Sequence, residues 1–191
     1  MHGSSASTTA SPPATHLALL RGVNLGSSRR LAMSDLRAVI AGLGFARVQT
    51  VLQSGNFVFA GGRKAPASLE RLLEVEMGEQ LQMPMEVFVR TASEWAGVIE
   101  RNPFPAESRR DPSHVLVMAL KDAPTARAIQ QLTEAHRGPE PFRVDGRVAY
   151  AYYPSGLARS KLALMMDAKL GTRGTARNWN TVLKLAALVG L

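Results

Sequence analysis

Apolar positions along this chain alternate between the two periods of regular structure. His16 to Leu20 is a short apolar run bounded by the turn from Gly22 to Gly26, which predicts a buried strand. Met33, Leu36, Val39, Ile40 and Leu43 then recur at helical spacing, with Gly44 as a stop. Val48 to Gln53 and Phe57 to Ala60 flank Ser54-Gly55-Asn56 and read as a hairpin. Leu69, Leu72, Leu73, Met77 and Leu81 predict a second helix ended by Pro84, and Met85 to Val89 a fourth strand. The order of the first half is therefore βαββαβ.

The second half repeats that order less cleanly. Ser113-His114-Val115-Leu116-Val117-Met118 echoes Thr15-His16-Leu17-Ala18-Leu19-Leu20, a weak internal repeat. Asp122 before Pro124 predicts a helix through about Ala135, and Phe142 to Val144 with Arg147 to Tyr153 flank the hairpin dipeptide Asp145-Gly146. Leu157 to Leu170 reads as helical, and Asn178 or Asn180 is placed to cap a last helix through Leu188. Between the halves, Thr91 and Glu94 form a T-x-x-E capping box for a linking helix, followed by a proline-containing loop from Asn102 to Pro112. The expected division is 1–15 as a disordered Ser/Thr/Ala/Pro tail, 16–90 as the first unit, 91–112 as the link and 113–191 as the second unit.

Four collinear motifs, Ala18-Leu-Leu-Arg-Gly-Val-Asn-Leu-Gly26, Leu52-Gln-Ser-Gly-Asn-Phe-Val-Phe59, Asn102-Pro-Phe-Pro105 and the run Thr175 to Leu185 (TARNWNTVLKL), span almost the whole chain. In this order they resemble the bacterial family called domain of unknown function 1697. The resemblance implies a duplicated ferredoxin-like α+β fold, with antiparallel sheets covered by helices, and it implies no activity. In such a unit, with strand order 4-1-3-2, strands one and two point the same way. The loop after strand one and the turn after strand two then share a sheet end, which places Arg21 and Asn24 beside Gln53, Ser54 and Asn56.

These motifs define the candidate ligand site. Glycines at 22, 26 and 55 allow positive φ and close backbone approach, successive N–H groups in such turns form anion-binding nests, and Arg21 offers a planar fork. At the other end of the chain, Arg173, Arg177, Asn178 and Asn180 precede or begin a helix, where orphan N–H groups favour an anion. Lys161 lies within reach on the preceding helix. The Arg177-Asn178-Trp179-Asn180 segment is expected to dock on the first half, with Trp179 as a packing anchor. The motifs hold no carboxylate, cysteine or histidine, so no general base, nucleophile, metal or cofactor is expected in them. His16 and His114 begin buried strands and read as structural.

Charge gives the partner. The net formal charge is +8, and it sits at the ends: residues 16–50 carry five Arg against one Asp, and residues 151–191 six basic against one acidic residue. Such asymmetry favours nucleic acid or a phosphate-bearing ligand. Arg outnumbers Lys eighteen to five in an Ala-rich chain, a bias that coding alone also produces. The sequence contains no cysteine, which excludes disulfides and thiolate chemistry and suits a cytoplasmic protein. No stretch approaches the roughly 18 apolar residues of a membrane span. The expectation is a non-catalytic binder; an enzyme acting on a phosphorylated or nucleotide-like small molecule and a protein-interaction module are the alternatives.

Overall fold

A computed structural model describes residues 14–22, 32–51 and 55–191. Nearly all of the expected tail, and Asn24, Gln53 and Ser54 of the expected site, lie outside the described residues. The first unit runs β1 (His16–Arg21), α1 (Met33–Gly42), β2 (Ala46–Val51), β3 (Asn56–Ala60), α2 (Pro66–Leu81) and β4 (Glu86–Thr91). Two linking helices follow, α3 (Ala92–Glu100) and α4 (Pro105–Arg110). The second unit runs β5 (Val115–Leu120), α5 (Ala126–Ala135), β6 (Phe142–Asp145), β7 (Val148–Tyr152), α6 (Leu162–Lys169), β8 (Gly174–Asn178) and α7 (Trp179–Leu188). Each unit forms one four-stranded antiparallel sheet, ordered β2-β3-β1-β4 and β6-β7-β5-β8. This is the ferredoxin-like βαββαβ fold in tandem, an α+β architecture.

The alternation within β1 explains how one strand serves two cores. Leu17 and Leu19 face one way, and Ala18 and Leu20 the other; all four are buried. Ala18, Leu20, Phe57 and Phe59 pack with Leu36 and Ile40 of α1 and Leu69, Leu73 and Met77 of α2. Leu17, Leu19, Val58 and Phe88 join Val115, Val117 and Tyr150 of the second sheet, together with Trp95 of α3 and Trp179, Val182 and Leu185 of α7. A third cluster unites Leu132, Leu162 and Met166 with Ala149, Ala151 and Tyr153 on the far face of the second sheet. Helices thus cover both outer faces, and the two units share the central core. Neither sheet is an open platform for stacking bases.

Local chemistry sets the helix ends. Thr91 Oγ1 accepts the Glu94 N–H at 3.0 Å while Glu94 Oε2 accepts the Thr91 N–H at 2.8 Å, the reciprocal capping box expected from T-x-x-E. Asn178, not Asn180, caps α7: its Oδ1 accepts from Thr181 N at 3.0 Å and Thr181 Oγ1 at 2.9 Å.

Three expectations are corrected. The loop from Asn102 to Pro112 contains α4, because Pro105 suits a first helical position and Asn102 fastens its start, accepting from Phe104 N at 2.9 Å and donating to Ser108 Oγ at 2.7 Å. The helix expected over Leu157 to Leu170 is a 3₁₀ turn at Leu157–Arg159 and then α6, separated at Ser160, whose hydroxyl accepts from Leu162 N at 3.0 Å. Lys161 accordingly sits at the N-cap position of α6, exposed, and not within a helix. Residues 174–178 form β8, although GTARN carries no apolar periodicity. Tertiary pairing with β5 overrides the weak local preference.

Candidate functional site

The topology brings the predicted segments to one end of the first sheet. Because β1 and β2 both run antiparallel to β3, their C-terminal ends lie together, and Leu20 N donates to Gly55 O at 2.8 Å. Gly22 and Gly55 have φ of 75° and 69°, the left-handed values that the two turns require. Asn56 is fully buried, and its Nδ2 donates to Val51 O at 3.2 Å.

β8 delivers the C-terminal arginines to the same place. Thr175 and Arg177 pair with Ala119 and Val117, so both project from the face of the second sheet that meets the first unit. Arg177 Nε donates to Asn56 Oδ1, and Arg177 Nη2 to Leu20 O at 2.7 Å. Thr175 Oγ1 accepts from Arg177 Nη1 at 2.8 Å. Burial pushes the Arg177 guanidinium down to about 10, still charged at neutral pH. The expected docking of the C-terminal segment on the first half is thus made by Arg177, through side-chain and backbone oxygens of the β1 end.

Arg21 and Arg173 lie at the neighbouring corner, and here the site differs from the sequence motifs. Arg21 Nη2 bonds Asp167 Oδ2 at 2.7 Å, Arg21 Nε lies 3.5 Å from Glu86 Oε2, and Arg173 pairs with Glu86 Oε1. The motifs are acid-free, but the fold supplies Glu86 from β4 and Asp167 from α6. A cleft of about 320 Å³ opens between the units at this corner, lined by Arg21, Asp122, Asp167, Gly171, Thr172 and Arg173. Asn178 and Asn180 belong to the start of α7; Asn178 is occupied in capping, and Asn180 is exposed. Among the described residues no group of three or more His, Asp or Glu is arranged to hold a metal ion.

Sequence reading missed a second polar cluster, which ties the units together. Arg90 of β4 is only 2% exposed, and its Nη2 donates to Leu120 O at 2.6 Å and Arg147 O at 3.1 Å. Its Nη1 lies 3.6 Å from Glu70 Oε1, and Lys121 Nζ reaches Glu70 Oε2 at 3.2 Å and Glu74 Oε1 at 2.7 Å. The same two glutamates accept the outward N–H groups of Val89 and Val87, closing the free edge of β4. Desolvation, with the nearby Arg147 charge, holds Arg90 down at about 10. The available signal was Arg90 itself, a charge on the same strand face as buried Phe88.

His16, at the opposite end of β1, begins a buried strand as expected. It is 3% exposed, stacks on Phe59 and shares a 2.8 Å hydrogen bond between Nδ1 and Thr15 Oγ1, while Nε2 makes no hydrogen bond of normal geometry among the described residues. Burial lowers its pKa below 6.5, offset in part by the Lys64 backbone and Glu94. A folded pKa below the unfolded one favours the neutral ring in the native state. Its contribution is therefore complete above about pH 6.5 and is lost as pH falls through the lower folded pKa. Denaturant midpoints measured from about pH 7.5 to about pH 5 should fall more steeply for the wild type than for His16→Gln. Parallel curves would contradict this assignment.

Fold and cleft together define a tandem ferredoxin-like protein with a charged cleft between its units. The chain belongs to the family described as Protein of unknown function (DUF1697), whose model matches residues 14–150. It is also similar in structure to a conserved bacterial protein, SP0830 from Streptococcus pneumoniae, with a TM-score of 0.72 and 17% identity over 93% of this chain and 99% of the other. At that identity the likeness establishes the fold. The comparison with curated proteins gave no match.

Proposed function

We propose that the protein is a non-catalytic binder of a small phosphate-bearing ligand, taken up in the cleft beside Arg21 and Arg173. One observation carries this reading: Arg21 from the end of β1 and Arg173 and Arg177 from the distant segment around β8 converge on the junction between the two strands. Guanidinium forks at a cleft suit a phosphate, which can take the place of a resident carboxylate. The setting favours a small ligand over nucleic acid. A nucleic-acid backbone needs a stripe of available cations, whereas Arg21 and Arg173 are ion-paired around a bounded cleft. The cysteine-free sequence suits the cytoplasm, and no helix among the described residues is long and apolar enough to cross a membrane.

Calorimetric titration with inorganic phosphate and with a single-stranded oligonucleotide tests the reading. Phosphate should bind the wild type, and Arg173→Ala, at a side chain 64% exposed, should abolish that binding while leaving the melting temperature nearly unchanged. The oligonucleotide should show little binding at about 0.15 M salt. Tight oligonucleotide binding with a log-log salt slope near −0.7 per neutralised phosphate would transfer the proposal to nucleic acid. Equal phosphate binding by Arg173→Ala would remove the cleft from it.

A further inference from the structure

The charge pattern of the cleft narrows the chemistry of its ligand. Arg21 and Arg173 contribute the cations of the lining, and Asp122 and Asp167 its carboxylates. Asp167 already faces Arg21. Asp122 is exposed, and its carboxylate forms no ion pair among the described residues; its backbone N–H alone is tied to the cleft, through Thr172 Oγ1. A site for a bare anion would be weakened by that carboxylate, because like charges oppose each other across a small cavity. A cleft of about 320 Å³ is at the small end of ligand sites, so both signs act on the same bound molecule.

We infer that the cleft takes a small zwitterion, with its phosphate or other anionic group on Arg173 and Arg21 and a protonated amine on Asp122. This rests on the proposed anion site and adds the second half of the ligand. Arg173 is suited to the anionic end, since its 64% exposed side chain keeps part of its fork available beyond Glu86. Asp122 precedes α5 of the second unit, and Thr172, the neighbour of Arg173, fixes its backbone N–H, which holds the carboxylate-bearing residue next to the arginine-bearing one. The amine pairs with Asp122, and this added attraction offsets part of the cost of moving a resident carboxylate aside for the phosphate.

The test compares three probes, O-phosphoethanolamine, inorganic phosphate and ethanolamine, by calorimetric titration of the wild type, Asp122→Asn and Arg173→Gln. O-phosphoethanolamine should bind the wild type about tenfold more tightly than phosphate. Asp122→Asn should reduce that preference to about twofold by weakening only the amine-bearing probe, and Arg173→Gln should lose both phosphate-containing probes. Circular dichroism and melting curves confirm that the exposed substitutions leave the fold intact. Equal affinity of the wild type for the two phosphates, or a preference that survives in Asp122→Asn, overturns the zwitterion while leaving the anion site in place. Phosphate that binds as tightly as O-phosphoethanolamine once magnesium is added also overturns it, in favour of a metal-bridged anion. Failure of every probe removes the anion site as well.

Discussion

Trp95→Ala should destabilise the protein by about 3–5 kcal/mol and lower its melting temperature by roughly 6–20 °C. The indole is 1% exposed and stands on α3 within the central core. Removing it deletes a large side chain from a place where two sheets and two helices meet, so collapse around the void would have to move several elements at once. It also removes the donor to Val182 O, 3.1 Å from Trp95 Nε1, the bond that joins α3 to α7. Trp179, 6% exposed in the same cluster, belongs to the same class of substitution. Thermal and denaturant unfolding followed by circular dichroism measure the effect. A Trp95→Ala melting temperature within a degree or so of the wild type would show that the central core relaxes freely.

Arg90→Met should cost about 3–5 kcal/mol, although methionine fills much of the same volume. The loss comes from what remains behind. Glu70 keeps a buried charge with Lys121 as its remaining cationic partner among the described residues, and the carbonyls of Val89 and Leu120 lose the Arg90 donor, while that of Arg147 keeps only the Leu120 N–H at 3.0 Å. Leaving a buried charge short of its partner is more costly than the net value of the pair. Glu70→Gln should therefore recover a substantial part of the loss when combined with Arg90→Met, since the amide oxygen can still accept the Val89 N–H now held by Glu70 Oε1. A double-mutant cycle by urea unfolding gives the coupling directly. Additive effects would mean that Arg90 acts through its carbonyl contacts and not through the glutamate.

Both substitutions act on the seam between the units, and the candidate cleft opens on the same seam. Arg21 and Glu86 come from the first unit, Asp167 and Arg173 from the second. A change that loosens the seam is expected to lower stability and ligand binding together, whereas Arg173→Ala should abolish binding and leave stability nearly unchanged. The two classes of variant therefore separate fold from function.

What the sequence by itself determined was everything set by local periodicity and backbone chemistry. Short apolar runs identify β1 and β4, apolar positions at helical spacing identify α1 and α2, Thr91 and Glu94 announce the start of α3, and Asp145-Gly146 marks the turn between β6 and β7. These features follow from residues close in sequence. Once the βαββαβ order is read, the meeting of the β1 and β2 ends follows from topology, which is why Arg21 and Asn56 could be placed near each other. Tertiary structure alone decided β8, because GTARN becomes a strand only by pairing with β5. It alone supplied Glu86, Asp122 and Asp167 to a site whose motifs contain no acid. It also buried Arg90 against carbonyls 30 and 57 residues away. Ion pairs and caps on carbonyls have no sequence period: their partners are chosen by where folded elements cross, and that choice exists only once the two sheets have packed.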